Sequence, residues 1–176
     1  MIDYRIEVGD AHAHRFQVTM RVASPQPGQT LSLPVWIPGS YLVREFARHL
    51  SPIEATQGGQ PVTVTPVDKC TWRVGNAGRG ALTLRYEVYA FDTSVRTAFL
   101  DARRGFFNGT SLCLQVPEAA TEPHTLDIVP VAGTTGWQLA TGLPAVTVDK
   151  TGFGLYRAPD YDTLGLDVFE PMVREV

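Results

Sequence analysis

Leu82-Thr83-Leu84-Arg85-Tyr86-Glu87-Val88-Tyr89-Ala90 decides the fold class. Leu82, Leu84, Tyr86, Val88 and Ala90 alternate with Thr83, Arg85, Glu87 and Tyr89. Successive side chains of a strand point to opposite faces, so this run has one core face and one wet face. Two further stretches read the same way. Ile2, Tyr4, Ile6 and Val8 alternate with Asp3, Arg5 and Glu7, and Phe16, Val18, Met20 and Val22 alternate with Arg15, Gln17, Thr19 and Arg21. Shorter strands are expected at 30–36, 61–66, 71–74, 111–116, 125–131, 137–140, 145–148 and 154–157.

Between these runs lie turn formers such as Ser24-Pro25-Gln26-Pro27-Gly28 and Gly58-Gly59-Gln60-Pro61. Glycine supplies positive φ and proline fixes φ, so both punctuate strands. Many short strands with frequent turns predict an all-β fold of the β-sandwich kind. At most one short helix is expected, after Ser40, where Val43, Phe46, Ala47 and Leu50 fit helical spacing. The same stretch also reads as a strand face.

Composition narrows the function. The chain has 176 residues, 44% of them hydrophobic and 19% charged, as expected of a globular fold able to bury its own core. Its net charge is −3, and no basic stripe provides the positive field that nucleic acid requires. The start, Met1-Ile2-Asp3-Tyr4-Arg5, is charged from the third residue and has no apolar stretch of the signal-peptide type. A cytoplasmic location is therefore expected, with export of a longer parent left open. Cys70 and Cys113 fit no paired-cysteine motif and read as buried thiols. Trp36, Trp72 and Trp137 read as core or near-core residues on strands.

Leu33-Pro34-Val35-Trp36-Ile37-Pro38-Gly39-Ser40-Tyr41-Leu42-Val43-Arg44-Glu45-Phe46-Ala47-Arg48-His49 resembles the N-terminal domain of the glycyl aminopeptidase-type zinc metallopeptidases, peptidase family sixty-one. The resemblance continues through Asp68-Lys69-Cys70-Thr71-Trp72, the run from Arg85 to Arg96 together with the Leu100-Asp101 that follows it, Gly105-Phe106-Phe107-Asn108-Gly109-Thr110-Ser111, and Gly152-Phe153-Gly154-Leu155-Tyr156-Arg157-Ala158-Pro159-Asp160-Tyr161-Asp162. Five motifs in order are more specific than any one of them.

The resemblance implies a front β-domain joined to a thermolysin-like zinc domain that cleaves N-terminal residues from peptides. In such enzymes zinc is held by the two histidines of HExxH and a downstream glutamate, and the motif's own glutamate acts as general base. This chain carries no HExxH, and none of His12, His14, His49 and His124 is followed by Glu. No catalytic residue, zinc ligand or cofactor is therefore assigned to it, and zinc is expected in the parent's catalytic domain. Residues 1–165 are expected to form the N-terminal β-domain, and 166–176 the start of a linker toward that catalytic domain.

The functional candidates follow from the same reading. Asn108-Gly109 predicts a tight turn or bulge, because both residues tolerate positive φ. Related aminopeptidase N enzymes lend front-domain polar groups to the substrate's amino terminus. By that analogy Phe107, Asn108, Gly109 and Thr110 are candidates for binding the peptide's N-terminal end. The competing reading is a structural hairpin whose phenylalanines join the core. Tyr41, Arg44, Arg96 and Asp101 are candidates for contacts with the catalytic domain.

His12 and His14 could share a strand face as a metal pair, but their place beside Gly9-Asp10 favours a surface turn. The expected partners are the catalytic domain and the parent's peptide substrate. A docking surface left exposed also predicts self-association. The alternative is a stand-alone β-sandwich that binds peptide or protein through residues 92–110.

Overall fold

The computed structural model describes residues 1–37, 42–94, 96–130, 133–166 and 168–173 of the chain. The three alternating runs form its centre: β1 (Ile2–Asp10), β2 (Arg15–Val22) and β8 (Leu82–Tyr89). The other strands are β3 (Thr30–Ser32), β4 (Glu54–Gln57), β5 (Gln60–Val62), β6 (Val64–Pro66), β7 (Thr71–Val74), β9 (Phe99–Leu100), β10 (Gly105–Asn108), β11 (His124–Val129), β12 (Trp137–Thr141), β13 (Ala145–Val148), β14 (Gly154–Ala158) and β15 (Val168–Val173). Two short helices, α1 (Gly109–Leu112) and α2 (Tyr161–Leu166), lie beside β10 and β14.

The strands form an eight-stranded sheet ordered β13-β14-β11-β1-β2-β8-β4-β5, a four-stranded sheet ordered β12-β15-β10-β9, and a three-stranded sheet ordered β3-β7-β6. Only β1 and β11 pair in parallel among the paired strands of the large sheet. The all-β expectation therefore holds, although the described residues include two short α-helices and two 3-10 turns where at most one short helix is expected. Among the described residues no helix is long and apolar enough to cross a membrane.

The alternation of the long strands is realised side chain by side chain. Ile2, Tyr4, Ile6, Phe16, Val18, Met20, Val22, Leu82, Leu84, Tyr86 and Val88 are buried in one core. The opposite face carries exposed ion pairs, Arg15 with Glu87 at 2.8 Å and Arg21 with Asp3 at 3.3 Å. Such pairs are worth about 0–1 kcal/mol, so the buried face supplies the stability.

The small sheet closes over that face through Phe107. Its ring meets Phe16 of β2 at 5.3 Å and stacks on Phe169 of β15 at 4.8 Å. Strand β15 pairs with both β10 and β12, so the strand fold extends past residue 165.

Four local expectations differ from the structure. Residues 46–49 form a 3-10 turn rather than a longer helix or a strand, and Ser40 lies outside the described residues. Gln60–Val62 and Val64–Pro66 join different sheets instead of making one strand. Trp36 is half-exposed, whereas Trp137 is buried. Residues 111–116 are not a strand: α1 ends at Leu112 and the following chain makes only an isolated bridge, between Gln115 and Ser32.

Buried tyrosines explain how residues 112–114 survive in the core without a strand partner. Tyr86 Oη donates to the Leu112 carbonyl at 2.7 Å, Tyr161 Oη to that of Cys113 at 2.6 Å, and Tyr4 Oη to that of Leu114 at 2.7 Å. Three consecutive carbonyls are thus satisfied by side chains, as buried backbone must be. Burial pushes all three phenol pKa values well above the usual tyrosine range, which keeps the hydroxyls protonated as donors. Both cysteines are free thiols. Cys113 is buried, which pushes its pKa well up, and Cys70 is half-buried.

Candidate functional site

The segment Phe107–Thr110 is built as a helix start. Asn108 is extended, with φ −109° and ψ 156°, and caps α1. Its Oδ1 accepts the Ser111 N–H at 3.1 Å and the Thr110 hydroxyl at 3.0 Å. The Ser111 hydroxyl donates back to the Asn108 carbonyl at 2.7 Å. A side-chain acceptor here satisfies one of the free donors of a helix start. Phe107, Asn108, Gly109, Thr110 and Ser111 are all buried.

The expected Asn-Gly turn is therefore absent, and Gly109 serves another purpose. A β-carbon there would lie 2.3 Å from the Leu164 carbonyl oxygen and 2.8 Å from its carbon. Across the same contact, a β-carbon on Gly165 would lie 2.7 Å from Thr110 Cγ2. Two glycines thus let α1 and α2 touch backbone to backbone. No local sequence signal predicted this partnership, because Leu164 and Gly165 lie more than fifty residues away.

Of the four interdomain candidates, Arg44, Arg96 and Asp101 lie on separate loops. Tyr41 lies outside the described residues. Arg44 is half-buried, its backbone N–H bonds the Val35 carbonyl at 2.6 Å, and its Nε is buried with no hydrogen-bond partner. Arg96 is exposed on a loop that closes on itself: Asp92 Oδ1 accepts the Ser94 N–H at 2.9 Å, and Thr97 Oγ1 donates to the Ser94 carbonyl at 2.9 Å.

Asp101 shapes a separate turn by accepting the N–H groups of Arg103 at 2.8 Å and Arg104 at 2.9 Å. Partial desolvation pushes its carboxyl pKa up. Those N–H groups and the two guanidinium charges outweigh this and hold it below the usual value. Among the described residues Arg96 and Asp101 form no ion pair with each other.

An aromatic cluster that sequence reasoning missed stands nearby. The His14 ring lies 3.9 Å from Phe91 and 6.1 Å from Tyr89, and Phe91 stacks on Phe99 at 5.3 Å. His14 sits at a turn with φ 59°, and its Nδ1 faces the Leu100 carbonyl. His12 is exposed, and the backbone N–H groups of His12 and Ala13 bond Asp10 Oδ1 at 2.9 Å. The pair thus occupies the surface turn between β1 and β2 rather than one strand face. Among the described residues no group of three or more His, Cys, Asp or Glu could hold a metal ion. The described residues therefore do not fit a zinc site.

Comparison with known proteins agrees with this architecture. The Peptidase M61 N-terminal domain matches residues 3–165, and the chain belongs to that family. An aminopeptidase N family protein from Idiomarina loihiensis is 37% identical, superposes with a TM-score of 0.94, and is matched over 98% of this chain and 29% of its own. An M1 zinc metallopeptidase from Deinococcus radiodurans superposes with a TM-score of 0.53 at 15% identity, over 97% of this chain and 41% of its own. Leukotriene A4 hydrolase from Saccharomyces cerevisiae superposes with a TM-score of 0.51 at 10% identity, over 96% of this chain and 28% of its own. The last two share the fold. No curated protein matches the chain in sequence. The chain spans less than half the length of each of these solved relatives.

Proposed function

We propose that the chain is the non-catalytic front domain of a zinc aminopeptidase. It buttresses the catalytic domain, and the Asn108–Thr110 segment shapes the site for the peptide's N-terminal end. Residues from 166 onward, strand β15 among them, form the side of the fold that adjoins that catalytic domain. The observation that carries this reading is the pairing of a family match over residues 3–165 with relatives in which this fold is a minor part of the chain.

The design of α1 supports the role of the 108–110 segment. Its polar side chains are held by the cap and by the contact with α2, and a site built on rigid backbone positions its groups more closely than a free loop. Asn108 would act as a positioning residue, holding the start of α1 in place. Zinc would be supplied by the catalytic domain, where it activates water.

The test is the mass and activity of the polypeptide produced from its own gene, detected with an antibody against this domain. A band several-fold larger than 19.3 kDa with chelator-sensitive aminopeptidase activity is the expected result. A band at 19.3 kDa would instead favour a stand-alone binding module, and zinc-dependent turnover by this domain alone would refute its non-catalytic role.

A further inference from the structure

We propose that the concave apolar face around the Phe46–His49 turn is the surface on which the catalytic part of the same polypeptide docks. This rests on the front-domain reading and adds where the contact lies.

Three depressions adjoin at this turn. One, of about 290 Å³, is lined by Arg48, His49, Tyr89 and Phe91, with Ser111 of α1 in its wall. The next, of about 470 Å³, is lined by Leu42, Val43, Arg44, Arg48 and Asp92. The third, of about 540 Å³, runs past Val35, Val43 and Ala47 to Arg48, Lys69 and Cys70. Arg48 borders all three, so they form one continuous surface.

The exposed apolar side chains concentrate here. Of the ten large hydrophobic residues exposed among the described positions, Val35, Leu42, Val43, Tyr89 and Phe91 line these depressions, and Trp36 is the chain neighbour of Val35. Val43 is 73% exposed and Phe91 53%. Val146 and Val148 lie apart, on the edge strand β13. A contiguous apolar patch with a polar rim marks an interaction site, whereas single exposed hydrophobics do not.

Charged side chains lie among the apolar ones. Lys69 and Glu45 pair at 3.5 Å, and Arg48 and Asp92 stand between the depressions. Arg44 is the informative member. Its guanidinium is always charged, and its buried Nε has no acceptor. A carboxylate brought by a docking partner is the best counter-charge for this guanidinium.

The occupant is the rest of the polypeptide. In the Idiomarina protein this fold accounts for 29% of the chain, so a body larger than the domain itself belongs beside it. Ser111 joins this face directly to the Asn108–Thr110 segment. A catalytic domain seated here therefore abuts the segment proposed to shape the site for the peptide's amino terminus.

Hydrogen exchange on the complete gene product tests the proposal, comparing wild type with a Val43→Asp/Phe91→Asp double variant. Both side chains are exposed, Phe91 while stacking on Phe99, so unchanged exchange in β1, β2 and β8 is what shows that the substitutions leave the core intact. The expected result is protection of amides in 42–49 and 89–94, lost by about tenfold or more in the variant, with β1, β2 and β8 unchanged. Equal exchange in the two proteins overturns the docking surface, and so does a gene product that comprises this fold alone.

Protection that appears only with rising protein concentration, together with a dimer by light scattering, assigns the face to a second copy and also overturns it. Chelator-sensitive aminopeptidase activity is assayed on the same wild-type sample. Activity with an unprotected face removes only the docking surface. Protection without activity keeps the interdomain surface and removes only the peptidase reading.

Discussion

Gly109 lies against the Leu164 carbonyl, so close that a β-carbon would approach the oxygen to 2.3 Å. The obstacle is backbone on a second helix, which cannot rotate away as a side chain could. Gly109→Ala must therefore part α1 from α2 or shift β10, which carries Phe107 into the core. Overpacking of this kind costs about 1–3 kcal/mol. At this chain length each kcal/mol lowers the melting temperature by about 2–4 °C. Thermal unfolding followed by circular dichroism checks the effect, and an unchanged melting temperature would refute the close contact.

Asn108 makes a separable contribution through its cap. Asn108→Ala removes the acceptor for the Ser111 N–H and for the Thr110 hydroxyl, and a lost cap costs about 0.5–2 kcal/mol. Asn108→Ser keeps a short acceptor at the cap and should lose less. Urea titration of the three proteins orders them wild type, Ser, Ala in midpoint. An Ala variant as stable as wild type would mean that the segment is held by packing alone.

The tyrosines that hold residues 112–114 predict a graded series. Tyr86 Oη donates to the Leu112 carbonyl and also accepts the Leu114 N–H at 3.1 Å, whereas Tyr4 Oη donates to a single carbonyl. Tyr86→Phe therefore leaves two buried backbone groups unsatisfied and Tyr4→Phe leaves one. Each such group costs about 1–3 kcal/mol. Tyr86→Phe should lower the urea midpoint more than Tyr4→Phe, with the dependence on denaturant unchanged. Equal losses would mean that the Leu114 N–H finds another acceptor.

These contacts also explain what the sequence could and could not reveal. The long strands were legible because alternation over eight or nine residues is enforced by one buried face, as Phe16, Val18 and Met20 demonstrate. The Leu112–Leu114 segment is apolar and buried, so it reads as a strand. Its backbone is satisfied by hydroxyls from β1, β8 and α2 instead of a ladder, and no local pattern encodes that. Asn108-Gly109 has turn chemistry in isolation, yet Gly109 is needed for the approach of a carbonyl far along the chain. Val43 and Phe91 look like core residues by type, and only the folded arrangement shows them exposed. Arg44 and Asp101 were legible as loop residues, but their neighbours were not.

His124 gives the fold a dependence on mildly acid pH. It is buried, its ring is stacked 5.9 Å from Tyr4, its Nδ1 bonds the Glu122 carbonyl at 2.7 Å, and its Nε2 has no partner. Desolvation holds its pKa below the ordinary 6.5 despite the opposing pull of the Glu122 carbonyl. Partly buried His49 is lowered too, by desolvation and then by Arg48. Each imidazole binds its proton more readily in the unfolded chain than in the fold. Unfolding thus takes up protons as pH falls below 6.5, and stability declines until the lowered folded-state values are passed. Above 6.5 their contribution is complete and flat. One linked proton gives a slope of at most about 1.4 kcal/mol per pH unit. His124→Phe keeps an aromatic ring in the stack and removes the titration. Melting temperatures measured from about pH 7.5 to about pH 5, the range over which histidines titrate, should fall less steeply in this variant, with the His49 share remaining. A variant whose profile matches wild type would show that His124 is protonated equally in both states.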